Sequence, residues 1–158
     1  MALPITPSQT VGPYYEIGCV RGDQNELVPD GIRLVGRLLD GNDEAISDGM
    51  IEVWDDTDRK WGRAGTDKNG GFSFVVSKPA GRNGSAPHLD VFVHARGLLK
   101  NQLTRIYFPD EPEANAADPV LSSLPEADRA LLVAEQEDGA MRFDIRLQGD
   151  RQTIFFQA

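Results

Sequence analysis

Every apolar stretch in this sequence is cut short by a glycine, proline, aspartate or asparagine. Such short stretches suit strands of about five residues joined by many turns, and they deny a long helix an uninterrupted face. The 16 glycines and 10 prolines are spread between these stretches rather than gathered in one linker. An all-β fold follows: a two-layer β-sandwich with long loops and one short helix. The expected strands are Ile32–Leu39, Met50–Trp54, Phe72–Ser77, Leu89–Ala95, Leu103–Phe108, Met141–Gln148 and Thr153–Phe156. In Met141–Gln148, Met141, Phe143, Ile145 and Leu147 share one face while Arg142, Asp144, Arg146 and Gln148 share the other, so that strand is half buried.

Asp40–Gly41 and Lys68–Gly71 contain residues tolerant of positive φ and are expected to close connections between neighbouring strands. The helix is expected over Leu124–Glu135, with Ser123 as N-cap and Glu126 completing a capping box. Asp110–Pro119, acidic and alanine-rich, reads as a surface excursion. No repeat divides the chain, and 158 residues suit one domain.

A net charge of −9 opposes phosphate backbones and anionic lipid headgroups, so nucleic-acid and membrane partners are not expected. The single Cys19 forms no internal disulfide, and two histidines with one cysteine fall short of a structural zinc quartet. This cysteine usage, with no signal-peptide pattern and no long apolar run, gives a cytoplasmic expectation.

The residues richest in chemistry lie in Pro87–Arg96, where His88, Asp90, Phe92 and His94 share one face and Leu89, Val91, Val93 and Ala95 the other. Two histidines and a carboxylate are the donors of a facial-triad iron site. His88 and His94 are about 20 Å apart along a strand rising roughly 3.3 Å per residue, so one metal cannot take all three. His88 and Asp90 alone are either two ligands of an incomplete site or a hydrogen-bonded polar pair. No GxSxG elbow or phosphate-binding glycine loop is present, Cys19 reads as a bystander thiol, and no acidic pair stands out as acid and base. The segment Thr6–Tyr15 carries prolines, a glycine and adjacent tyrosines, as expected of an arm that docks on its own domain or on a partner. Arg96 is either a structural cation or an anchor for an anionic substrate.

The segments TPSQTVGPYY, LVGRLLDGN, ISDGMIEVWDD, APHLDVFVHARGLLKNQLTRIYFPDE and RFDIRLQGDRQTIFF occur in this order over nearly the whole chain. Together they resemble the intradiol ring-cleavage dioxygenases, and among them the α chain of the two-chain members that cleave protocatechuate. The resemblance implies a β-sandwich, in agreement with the strand pattern. It implies that Fe(III) is carried by a partner, the β subunit of a protocatechuate 3,4-dioxygenase, whose ligands are two tyrosines and an HxH pair. Here HisLeuAsp stands at that place: His88 matches the first histidine, Asp90 replaces the second, and Tyr14, Tyr15 and Tyr107 lie in segments matching other parts of the family. The region Trp54–Phe72 is shorter than its counterpart.

The resemblance therefore implies no metal and no catalytic residue on this chain alone. It implies a half-site instead, in which Thr10, Gly12, Pro13 and Tyr14 line the substrate cavity and Arg96 meets the substrate carboxylate. Residues 1–15 become an arm at the partner interface and residues 16–158 the sandwich domain. The implied reaction is O2-dependent cleavage of protocatechuate to 3-carboxy-cis,cis-muconate in an (αβ)n assembly. The competing readings are a self-sufficient homomeric dioxygenase, which would need its own ligand tyrosines, and a non-catalytic binding module.

Overall fold

Among the described residues nine strands arise from the interrupted apolar pattern: β1 (Ile32–Leu39), β2 (Met50–Asp55), β3 (Lys60–Gly65), β4 (Gly71–Val76), β5 (His88–His94), β6 (Gln102–Tyr107), β7 (Glu135–Glu137), β8 (Ala140–Arg142) and β9 (Ile145–Arg146). Short helices accompany them among the described residues: α1 (Tyr14–Cys19), α2 (Pro112–Ala117), α3 (Pro119–Ser122) and α4 (Glu126–Ala130). The computed structural model describes residues 4–7 and 9–157; residues 1–3 and Ser8 of the expected arm, and Ala158, lie outside the described residues.

One sheet runs β4-β1-β8-β7, with β9 also pairing β1, and the other runs β3-β2-β5-β6. The antiparallel register of β1 on β4 sets Leu34 opposite Phe74, and the parallel register on β9 sets Leu38 beside Ile145. Between the sheets, Leu34, Leu38, Phe74 and Ile145 of one meet Ile51, Val53, Leu89, Val91, Val93 and Ile106 of the other in one buried cluster. Each such side chain contributes about 1.5–3 kcal/mol through its removal from water. Gly36 lets the backbone at Phe143 approach β1 closely, because a Cβ there would come 1.9 Å from the carbonyl oxygen of Phe143.

The sandwich and the alternation at Met141–Leu147 agree with the sequence expectation, whereas several local expectations do not hold. The Met141–Gln148 strand is split into β8 and β9, because the Arg37 N–H donates to the Asp144 carboxylate at 3.1 Å instead of to a backbone carbonyl. Asp40–Gly41 and Lys68–Gly71 do form tight turns, with Leu39 bridging Ala45 antiparallel across the first and the Asp67 N–H donating to the Gly71 carbonyl at 2.9 Å in the second, but neither joins two paired strands: β1 and β2 lie in different sheets, as do β3 and β4, so the chain passes across the sandwich after each turn. The hairpin between β2 and β3 turns at Asp56–Arg59 instead, where the Asp55 carboxylate accepts from the N–H groups of Thr57 and Asp58.

The single expected helix is also corrected. Only Glu126–Ala130 is helical, its N-cap is Pro125 rather than Ser123, and α2 and α3 form where a loop was expected. The chain beyond Leu131 is drawn to the free edge of β6, where the Tyr107 N–H donates to the Leu132 carbonyl at 2.9 Å and the Ala134 N–H to the Tyr107 carbonyl at 3.0 Å. Thr153–Phe156 makes only an isolated bridge between Phe156 and Leu103.

Candidate functional site

The outward face of β5 alternates as the sequence predicts, with His88, Asp90, Phe92 and His94 partly exposed and Leu89, Val91 and Val93 buried. Its two ends have different surroundings. At the His88 end, the chain from α2 to Val133 covers the sheet and buries Tyr107 with Ala86, Leu121 and Leu132. His88 Nδ1 lies 2.7 Å from the Ala86 carbonyl oxygen, and the Arg105 Nε donates to Asp90 at 3.1 Å. Asp118, fully buried, accepts from the Ala86 N–H, the N–H groups of Val120 and Leu121, and the Tyr107 hydroxyl. Burial is the main cause that pushes the Tyr107 hydroxyl up to about 12, with the neighbouring Asp118 charge acting in the same direction.

A cavity of about 170 Å³ opens beside this network, lined by Trp54, Thr57, Arg82, His88, Asp90 and Arg105. Its charged groups are already paired, Arg105 with Asp90 and Arg82 with Asp56. Among the described residues no three His, Cys, Asp or Glu side chains converge as metal ligands. With only His88 and Asp90 as donors among the described residues, and Asp90 paired with Arg105, this end does not make up an iron ligand set. Its contacts form a hydrogen-bonded network.

At the His94 end the partners come from the arm and from α1. His94 Nε2 lies 3.2 Å from Glu52, whose other oxygen accepts from Arg63 Nε at 2.9 Å and from Nη2 at 2.5 Å. Arg63 Nη1 donates at 2.9 Å to the carbonyl of Cys19, the last residue of α1, and the Tyr15 ring lies 5.5 Å from that of His94. These contacts seat α1 on β2, β3 and β5. The arm boundary expected after residue 15 therefore falls inside α1, which spans Tyr14–Cys19.

Beyond His94 the chain turns at Gly97, where φ is +87°, and the Gly97 N–H donates to the Thr10 hydroxyl at 2.7 Å. Only glycine adopts that φ without strain. Thr10 is thereby brought beside Arg96. Gly12 accepts from the Tyr15 N–H at 3.1 Å, Pro13 is the N-cap of α1, and Tyr14 is 80% exposed. Arg96 Nε lies against Asp48 Oδ2, although most of the arginine side chain is exposed. Ile5, Ile17 and Leu99 add exposed apolar area from the arm, α1 and the loop after Arg96. This end offers a guanidinium, hydroxyls and apolar area beside the His94–Glu52 pair. It can bind and orient a ligand.

Sequence reasoning missed Glu52, Arg63 and Asp48. Glu52 and Arg63 were within reach, because both point outward from adjacent strands of one sheet and stand opposite each other in register. Nothing local marks Asp48, which precedes β2 on an irregular turn.

No protein-family model matches the chain. The protocatechuate 3,4-dioxygenase α chain of Burkholderia cepacia is 38% identical over 190 aligned positions, covering 96% of each chain. The corresponding α chain of Pseudomonas putida is 36% identical over 194 positions, covering 98% of this chain and 96% of its own. These alignments are longer than the 158 residues of the chain, so the relatives carry insertions that it lacks. Among solved structures, the dioxygenase domain of a carbohydrate-binding fusion protein from Streptomyces sp. SirexAA-E superposes with a TM-score of 0.62 at 23% identity, covering 91% of this chain and 98% of that one. That likeness carries the fold, and the identity to the two α chains over almost their full length carries the family: the chain belongs to the protocatechuate 3,4-dioxygenase α-chain family.

Proposed function

We propose that this chain is the subunit that completes the active site of a protocatechuate 3,4-dioxygenase whose Fe(III) is carried by the β subunit. The enzyme cleaves protocatechuate with O2 to 3-carboxy-cis,cis-muconate, in a cytoplasmic (αβ)n assembly. This chain supplies the wall of the pocket: Thr10, Gly12, Pro13 and Tyr14 from the arm, and Arg96 for the substrate carboxylate. The observation that carries the reading is the hydrogen bond from the Gly97 N–H to Thr10, which joins residues 87 apart in sequence and sets the arm beside Arg96. The iron reading is supported by the His88 end, where Asp90 is paired with Arg105, the Tyr107 hydroxyl donates to Asp118, and no third His, Cys, Asp or Glu among the described residues joins His88 and Asp90. Iron supplies the redox chemistry when the partner is bound, and this chain binds and orients the aromatic acid. Its exposed apolar side chains, Tyr14 and Ile17 of α1 and Leu99, fit the partner surface.

Coexpression with an iron-bearing β chain tests the reading. The complex is expected to contain iron and to cleave protocatechuate, and the chain alone to do neither. An iron-loaded, active preparation of the chain alone would overturn the assignment. Removal of residues 1–11, which leaves α1 intact, is expected to lower turnover of the complex at least about tenfold while the unfolding temperature changes little.

A further inference from the structure

Asp48 is unusual among the described residues, because both of its carboxylate oxygens are buried and neither accepts a hydrogen bond of good geometry. Its side chain is only 14% exposed, against 61% for Arg96, whose Nε lies against Oδ2. A buried carboxylate is costly without a cation, so this one constrains the guanidinium beside it. Asp48 is itself held in place. Thr66 clamps the surrounding turn, donating from Oγ1 to the Ile46 carbonyl at 2.7 Å and accepting from the Gly49 N–H at 2.9 Å. The backbone after Arg96 is fixed by the Gly97 bond to Thr10. Arg96 is therefore gripped at the root of its fork, and among the described residues Asp48 is its only acidic partner. Its two Nη groups remain for a planar carboxylate, the geometry in which arginine binds such groups best.

We propose that Asp48 is a positioning residue, which holds Arg96 by Nε so that the Nη groups meet the carboxylate of an aromatic acid. This deepens the function proposed above and rests on it. The test uses the complex with the β chain and reads the ratio of kcat/KM for protocatechuate to that for catechol, which lacks the carboxylate. Asp48→Asn, which keeps the shape and removes the charge, is expected to lower that ratio about tenfold, through KM for protocatechuate with kcat little changed. In an Arg96→Ala background the same substitution is expected to change the ratio less than about twofold, because the group it positions is gone. Asp48→Glu keeps the charge but moves it by one methylene, and is expected to lower the ratio about threefold, which secures a reading if the asparagine variant does not assemble. An unchanged ratio in Asp48→Asn or Asp48→Glu, equal losses for the two substrates, or an undiminished effect without Arg96 overturns the proposal. If Arg96→Ala itself leaves the ratio unchanged, the role of Arg96 falls and that of Asp48 with it. If only Arg96→Ala lowers the ratio, the function stands and the positioning role fails.

Discussion

The two ends of β5 carry similar side chains and lie in different surroundings. Each has a histidine, an acid and an arginine: His88, Asp90 and Arg105 at one end, His94, Glu52 and Arg63 at the other, with Arg96 just beyond. At the His88 end the domain itself supplies the partners, and Asp118 beneath a helical cover ties Ala86, Tyr107 and α3 together. At the His94 end the cover is the arm and α1, and Tyr14, Ile17 and Leu99 stay exposed. The difference teaches that donor types do not make a site. A site needs donors that the fold leaves with capacity to spare; Arg96 and Arg105 are both held through Nε by a carboxylate, but the Arg96 side chain is 61% exposed and that of Arg105 27%.

If the His88 end is structural, the largest effect is on stability. Asp118→Ala leaves the N–H groups of Ala86, Val120 and Leu121 and the Tyr107 hydroxyl without their acceptor. The expected loss is about 3–5 kcal/mol in chemical denaturation, since each buried group left unpaired costs about 1–3 kcal/mol and some regain water. Substrate preference of the assembled enzyme should not change; a shift in preference would mean that this end also serves the site.

Arg96→Ala tests the opposite end. Loss of a charge-assisted hydrogen bond of about 1.5–3 kcal/mol should lower kcat/KM for protocatechuate by roughly 10- to 150-fold, with iron content unchanged and catechol far less affected. Equal losses for the two substrates would assign Arg96 to the interface, and the contrast between the ends would disappear.

The smallest effect sharpens the account of the closed end through pH. The Tyr107 hydroxyl, at about 12 in the folded chain, titrates above its ordinary value of 10 because burial disfavours the phenolate. Between these values the unfolded chain loses a proton that the folded chain keeps, so this contribution to stability is complete below pH 10 and declines as pH rises towards 12. Tyr107→Phe should abolish up to about 2 kcal/mol of that alkaline loss when the pH slopes of unfolding are compared. Identical slopes would mean that the hydroxyl is not held neutral by its surroundings.

The sequence by itself determined whatever depends on neighbours along the chain. Alternation at period two is local, so the bounds of β1 and the two faces of β5 and of Met141–Leu147 were legible without knowing any partner strand. The ordered motifs carried the family, and with it the attention to Thr10 and Arg96. Strands β3 and β7 escaped because KWGRAG and EQE lie at sheet edges, where little apolar area is buried and the pattern is weak. Only the tertiary structure decided which sheet each strand joins, that the connections through Asp40–Gly41 and Lys68–Gly71 cross the sandwich, and that the helix after Pro125 yields to the edge of β6. It alone set Asp48 against Arg96 and Thr10 against Gly97. The physical reason is that these bonds join residues far apart in sequence, and a lone carboxylate or hydroxyl carries no mark of the partner that folding will bring to it.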